Sequence, residues 1–159
     1  MAEVQALVSQ LHLQSLTGES LPTALRRLAA ERQARDGLQV TVEVDGETGH
    51  VPDTEQTLPE PVAEGLLLIA QEALTNVTKH AGTGQATIRL NLAVGTPALE
   101  VEDSGLGFDP QVAMSQHGHL GLASMAERAA EIGWSLSVES RPGCGTRIRV
   151  QQNQPGGAA

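Results

Sequence analysis

Apolar side chains recur along this chain at two spacings, and the switches between them predict its elements. Val4, Leu7, Val8 and Leu11 fall at helical intervals within Met1 to Leu16, and Gly18 ends that run. Ser20 is placed to cap a second helix that carries Pro22 in its first turn, sets Leu21, Leu25, Leu28 and Ala29 on one face, and stops at Gly37. The period then changes to two: Leu38, Val40, Val42 and Val44 alternate with polar residues, as in a half-buried strand. Residues 46–61 are polar and contain prolines, and read as a loop. Pro61 opens a long helix ending near Ala81, where Gly-Thr-Gly follows. Residues 86–94 and 98–103 read as adjacent strands joined through Gly-Thr-Pro, and a glycine-containing loop runs from Ser104 to Gly121. Residues 122–132 are helical, and residues 134–140 and 146–152 alternate as strands around Arg-Pro-Gly-Cys-Gly. Interleaved helices and strands, with the last strands paired through short turns, predict an α/β fold: a two-layer sandwich with a mixed sheet and helices on one face. The expected organisation is a helical segment over 1–37, the body over 38–152 and a frayed tail over 153–159.

A length of 159 residues suits one such body. Phe108 and Trp134 are the only aromatic residues, so the core must be aliphatic. A net charge of -9 argues against nucleic acid as a partner, because phosphate backbones require clustered Lys and Arg. The same acidity leaves room for a nucleotide in one local pocket. Cys144 stands alone and allows no intrachain disulfide, as expected for a reducing compartment. The longest apolar run, Leu66 to Ala70, is too short for a bilayer, and the expectation is a cytoplasmic chain without membrane contact. A longer parent protein could still be membrane-bound.

Three features carry candidate chemistry. In the long helix Glu72, Asn76 and Lys79 stand at i, i+4 and i+7, a polar stripe bordering the arc of Leu66, Ile69, Ala73 and Val77. A carboxylate, a neutral amide oxygen suited to Mg²⁺ and a cation for phosphate would share that edge, although a plain solvated face has the same pattern. Asp103 has the phase of Leu99 and Val101, so its carboxylate follows core-facing side chains and needs donors. An adenine amine is one suitable donor, with Gly105 and Gly107 allowing close backbone approach; an ordinary Asp-Ser-Gly turn is the alternative. Gly118 and Gly121 precede a helix N-terminus, where free N–H groups favour phosphate, and Gly143, Gly145 and Thr146 lie between strands. Neither a Walker loop nor a Gly-x-Gly-x-x-Gly turn is present. His117-Gly-His119 lacks a third ligand at a recognisable spacing, so no metal site is assigned to it.

Taken in order, EALTNVTKHA, DSGLGFD, GHLGL and GCGT resemble the ATP-binding signature shared by gyrase-type topoisomerases, heat-shock chaperones, mismatch-repair ATPases and histidine kinases. The match runs from about Pro59 to Val150. MAERAAEIGWSLSVESRPGCGTRIRV and LPTALRRLAAERQARDGLQVTVEV are similar to the end and the connector of sensor histidine kinases of the nitrate-sensor class. The resemblance implies a Bergerat-type fold that binds ATP and Mg²⁺. It further implies Glu72 as catalytic carboxylate, Asn76 as Mg²⁺ ligand, Lys79 and His80 near the phosphates, and Asp103 on adenine. Gly105, Gly107, Gly118, Gly121, Leu122 and Thr146 would complete the nucleotide site, with residues 109–120 as a short lid. The implied partners are a phosphoacceptor helical hairpin and a downstream response regulator. None of His12, His50, His80, His117 and His119 is followed by Asp or Glu, as the phosphoacceptor histidine of such kinases usually is. The expectation is therefore a piece that binds ATP and needs a separate acceptor. A serine kinase of the anti-sigma-factor type and a non-catalytic, nucleotide-gated interaction module share the same boxes.

Overall fold

The structure, a computed structural model, describes residues 19–45, 58–92, 97–109 and 121–153. The expected helix over Met1 to Leu16, most of the 46–61 loop, the strand connection at residues 93–96, the lid from residue 110 onward with Gly118, His117 and His119, and the tail beyond residue 153 lie outside them.

Helix α1 (Leu21–Asp36) begins where Ser20 accepts the Thr23 N–H at 3.4 Å and ends on Gly37 in the left-handed region. Strand β1 (Gln39–Asp45) follows, then helix α2 (Glu60–Asn76), with Pro61 in its first turn. Its last turn does not continue as α: Val77–Ala81 form a π turn closed by Gly82. The expected helix to Ala81 is thus present in extent but changes pitch at Val77. Strands β2 (Gln85–Asn91) and β3 (Ala98–Asp103), helix α3 (Leu122–Glu131), and strands β4 (Trp134–Ser140) and β5 (Thr146–Gln152) complete the order.

The sheet order is β1-β2-β3-β5-β4, with β1 and β2 parallel and the other pairs antiparallel. The parallel pair requires a crossover, which α2 supplies. The three helices pack against one another and against β1, β3 and β4, giving the expected two layers.

Register aligns the inward positions into rows. Val44, Leu90, Leu99, Val150 and Leu136 form one row, and Val42, Ile88, Val101, Ile148 and Val138 the next. Under them lie Leu66, Ile69, Leu74 and Met125, all essentially inaccessible. Burying a side chain of this size contributes about 1.5–3 kcal/mol, so these rows dominate the stability of the sheet–helix interface. Leu21, Leu25 and Leu28 of α1 join the same core, which therefore extends across the expected boundary at residue 37. On the outer face Arg89, Arg147 and Arg149 bridge Glu43, Glu100, Glu102 and Glu139 across strands. These pairs are solvent-accessible and keep the uncovered face polar; their stabilisation is small.

Candidate functional site

One row further along, the inward side chains shrink and turn polar: Val40, Ala86, Asp103, Thr146 and Ser140 stand in register. Large aliphatic groups stop while α2 continues above them. The space left is a cleft of about 200 Å³ between the end of α2 and the strands. Ala73, Asn76, Val77 and His80 line it from above, and Val101, Asp103, Thr146 and Ile148 from the sheet. Gly107 and Phe108 close its end.

Asp103 is buried, one of two charged residues so placed among those described. Its Oδ1 accepts the Gly105 N–H at 2.8 Å, the geometry of an Asx turn. Desolvation raises its pKa above the usual carboxylate value, and the neighbouring Glu102 charge adds to the rise. Backbone N–H groups of Gly105 and Thr146 work in the opposite direction. A carboxylate has about four lone-pair positions, so two backbone donors leave acceptor capacity facing the cleft. The turn and the pocket are both present: the protein supplies part of the hydrogen bonding, and open space lies beside the rest.

The loop after β3 is sewn to the β4–β5 turn. Phe108 N–H donates to Ser140 Oγ at 2.8 Å, Gly143 N–H to Leu106 O at 2.5 Å, and Ser140 Oγ lies 2.9 Å from Thr146 Oγ1. Gly107 and Gly145 both have positive φ, and a Cβ on either would collide with backbone, of Arg141 and Asp103 respectively. Contact between these two turns, independent of any ligand, already requires glycine at both positions.

The polar stripe expected on α2 divides. Asn76 and His80 reach the cleft. Lys79 is exposed and does not line it. The π turn accounts for this: at roughly 80° per residue rather than 100°, Lys79 is carried about a third of a turn from Asn76. Glu72 points elsewhere. Its carboxylate lies against Gly121, the residue preceding α3, where a Cβ would overlap it. Leu122 is buried in the core and does not line the cleft. Thus Asn76, His80, Asp103, Gly107 and Thr146 come together, Gly105 acts through Asp103, and Glu72 lies against Gly121. Phe108 and Ala73 line the cleft without having been singled out in the sequence; the helical arc and the glycine loop contained the signal for both.

Among the described residues no group of three or more His, Cys, Asp or Glu side chains could hold a metal ion. None of the described helices is long and apolar enough to cross a membrane.

The family described as histidine kinase-, DNA gyrase B- and HSP90-like ATPase matches residues 62–155. Sensor protein VraS of Staphylococcus saprophyticus is 30% identical over 149 residues, 94% of this chain and 40% of the relative. Sensor histidine kinase LiaS of Bacillus subtilis is 33% identical over 150 residues, 94% of this chain and 38% of the relative. The chain therefore spans about 40% of the length of the curated relatives it matches. Among solved structures, the blue-light activated histidine kinase of Erythrobacter litoralis EL346 superposes with a TM-score of 0.68 at 25% identity, covering 94% of this chain and 46% of that one.

Proposed function

Because the chain belongs to the histidine kinase-, DNA gyrase B- and HSP90-like ATPase family, we propose that it is the ATP-binding catalytic part of a sensor histidine kinase, presenting the γ-phosphate of Mg-ATP to a histidine on a separate helical hairpin. The observation that carries this reading is the buried Asp103 carboxylate at the end of the strand rows, with a cleft beside it and Asn76 and His80 above. The residues fit the expected nucleotide. Asp103 would accept the adenine exocyclic N–H while Gly105 holds its other side, and Val77, Val101 and Ile148 would pack on the purine. Asn76 and His80 would face the phosphate end, with the exposed Lys79 adding positive charge nearby.

Mg²⁺ fits a site of this kind, because it keeps several waters and takes phosphate oxygens, needing few protein ligands. Asn76 would supply one amide oxygen. When bound, the ion neutralises charge developing on the phosphates. The protein's own contribution is orientation: a bound nucleotide held at both ends turns a two-body encounter into a positioned one. Glu72 would polarise the acceptor imidazole from the α3 side of the cleft. A response regulator would take the phosphate from that imidazole, and the whole would be the cytosolic part of a longer sensor.

The test mixes the chain with labelled ATP and a separate helical-hairpin fragment. Acid-labile label on the hairpin supports the proposal. Acid-stable label on serine would indicate the anti-sigma-factor type of kinase, and binding without transfer an interaction module.

Asp103→Asn is expected to weaken ATP binding about ten- to a hundredfold by titration, the scale of a lost charge-assisted hydrogen bond. Unchanged affinity would remove Asp103 from the adenine position. The raised pKa gives a second reading, with opposite signs for binding and stability. Binding uses the ionised carboxylate, so affinity should fall as pH drops through Asp103's raised value. The empty protein holds that proton more tightly than the unfolded chain does. Its contribution to stability should therefore decline as pH rises from the ordinary carboxylate value through the raised one. Neither trend should survive in Asp103→Asn.

A further inference from the structure

Besides Asp103, the only other charged residue buried among those described is Arg32, one turn before the end of α1. Leu21, Leu25, Leu28 and Arg32 stand at i, i+4, i+7 and i+11, so a guanidinium continues the apolar stripe into the interface with α2. Such a position ordinarily takes an aliphatic group, because burying a guanidinium costs more than its pairings return unless its donors are matched. Here the matching is specific but incomplete. One terminal nitrogen, Nη1, donates to Asp36 at 3.3 Å; the other, Nη2, donates to Gln71 O at 3.1 Å and to Thr75 Oγ1 at 2.8 Å. The Nε is buried with no partner.

The partners on α2 sit at a meaningful place. Gln71 directly precedes Glu72, and Thr75 directly precedes Asn76. At 100° per residue, positions 71 and 75 each lie about 160° around the helix from cleft-lining Ala73. Arg32 therefore grips the back of the turn whose front forms the cleft. Thr75 also donates to Gln71 O at 3.0 Å, and Thr78 to Leu74 O at 3.1 Å. Hydroxyls bonded back in this way loosen and bend a helix, and the chain passes into the π turn at Val77, between these two threonines. A loosened turn gains from an external anchor if Asn76 and His80 are to hold one orientation, and Arg32 is a polar contact from α1 that reaches it.

We propose that Arg32 is a positioning residue for the nucleotide site, fixing the rotation and axial position of the end of α2 so that Asn76 and His80 face the cleft. This inference rests on the cleft being the ATP site. It makes α1 part of the binding machinery, since displacement of α1 would reach the cleft through one side chain.

The test compares Arg32→Met, Thr75→Val, their double variant and Arg32→Lys in the full chain, by calorimetric titration with Mg-ATP and by thermal denaturation. Arg32→Met keeps the aliphatic stem and removes the donors, while Asp36 retains Arg35 at 3.4 Å. Arg32→Met and Thr75→Val should each weaken binding about five- to tenfold without a matching loss of melting temperature, and the double variant should be no worse than the poorer single. Arg32→Lys should restore part of the affinity. If the wild-type chain binds Mg-ATP and both single variants bind it equally well, the positioning role is overturned while the nucleotide site stands. If the wild-type chain fails to bind, the reading of the cleft falls first, and the positioning role with it.

Discussion

Glu72→Gln is expected to lower phosphoryl transfer to a hairpin acceptor about a hundredfold or more, the scale of a lost acid–base group. ATP affinity should meanwhile stay within about twofold of wild type, since a contact made only in the transition state leaves ground-state binding alone. The geometry is the reason for the separation. Glu72 does not line the cleft with Asn76 and Asp103; its carboxylate lies against Gly121 at the entrance of α3. A group placed there is free to serve an incoming imidazole without supporting the purine. The competing role is structural: a carboxylate at a helix N-terminus stabilises that helix by about 0.3–1 kcal/mol. Transfer rates, nucleotide titration and thermal melts on one variant separate the two. Loss of transfer with intact binding supports catalysis, whereas unchanged transfer with a lower melting temperature makes Glu72 an anchor for α3.

Gly145→Ala should be among the most damaging single methyl additions in the described structure, alongside Gly107→Ala, whose Cβ would meet the Arg141 backbone. Gly145 is buried at φ +80°, and a Cβ there would press into the Asp103 carbonyl and approach Ser104 Cα at 3.0 Å. Both neighbours are backbone, which cannot swing aside as a side chain would. A left-handed conformation costs an ordinary residue about 1–2 kcal/mol, and overpacking about 1–3 kcal/mol more, so chemical denaturation should show a loss of about 2–5 kcal/mol. ATP binding should fall with it, because the displaced backbone belongs to Asp103 itself. Gly37→Ala provides the comparison: it has positive φ but open space, so only the conformational cost applies. If the two variants melt alike, the packing of the β4–β5 turn on β3 is not the constraint described here.

Much of the fold was legible because the periods were clean. Leu38 to Val44 alternate without interruption, Ser20 and Gly37 mark both ends of α1, and the five strands fall where alternation put them. Asp103 was legible for the same reason, since a residue in phase with Leu99 and Val101 must face inward. What escaped detection depended on contacts distant in sequence. The π turn has no period of its own, and it carries Lys79 away from the cleft that a continuous α-helix would have let it border. Glu72 parts from Asn76 because Gly121, about fifty positions later, offers a space without a Cβ. Arg32 continues the apolar stripe of α1, but its Gln71 and Thr75 partners lie about forty positions away and no local period announces them.

The strand rows run out of large aliphatic groups before the helix above them ends, so the cleft is a stretch of interior left without side chains of its own. A ligand that filled the cleft would act as a removable part of the domain's packing. By mass action a ligand at a hundred times its dissociation constant adds about 2.7 kcal/mol to the folded state. A simple melting curve should accordingly report occupancy, with no acceptor histidine in the tube.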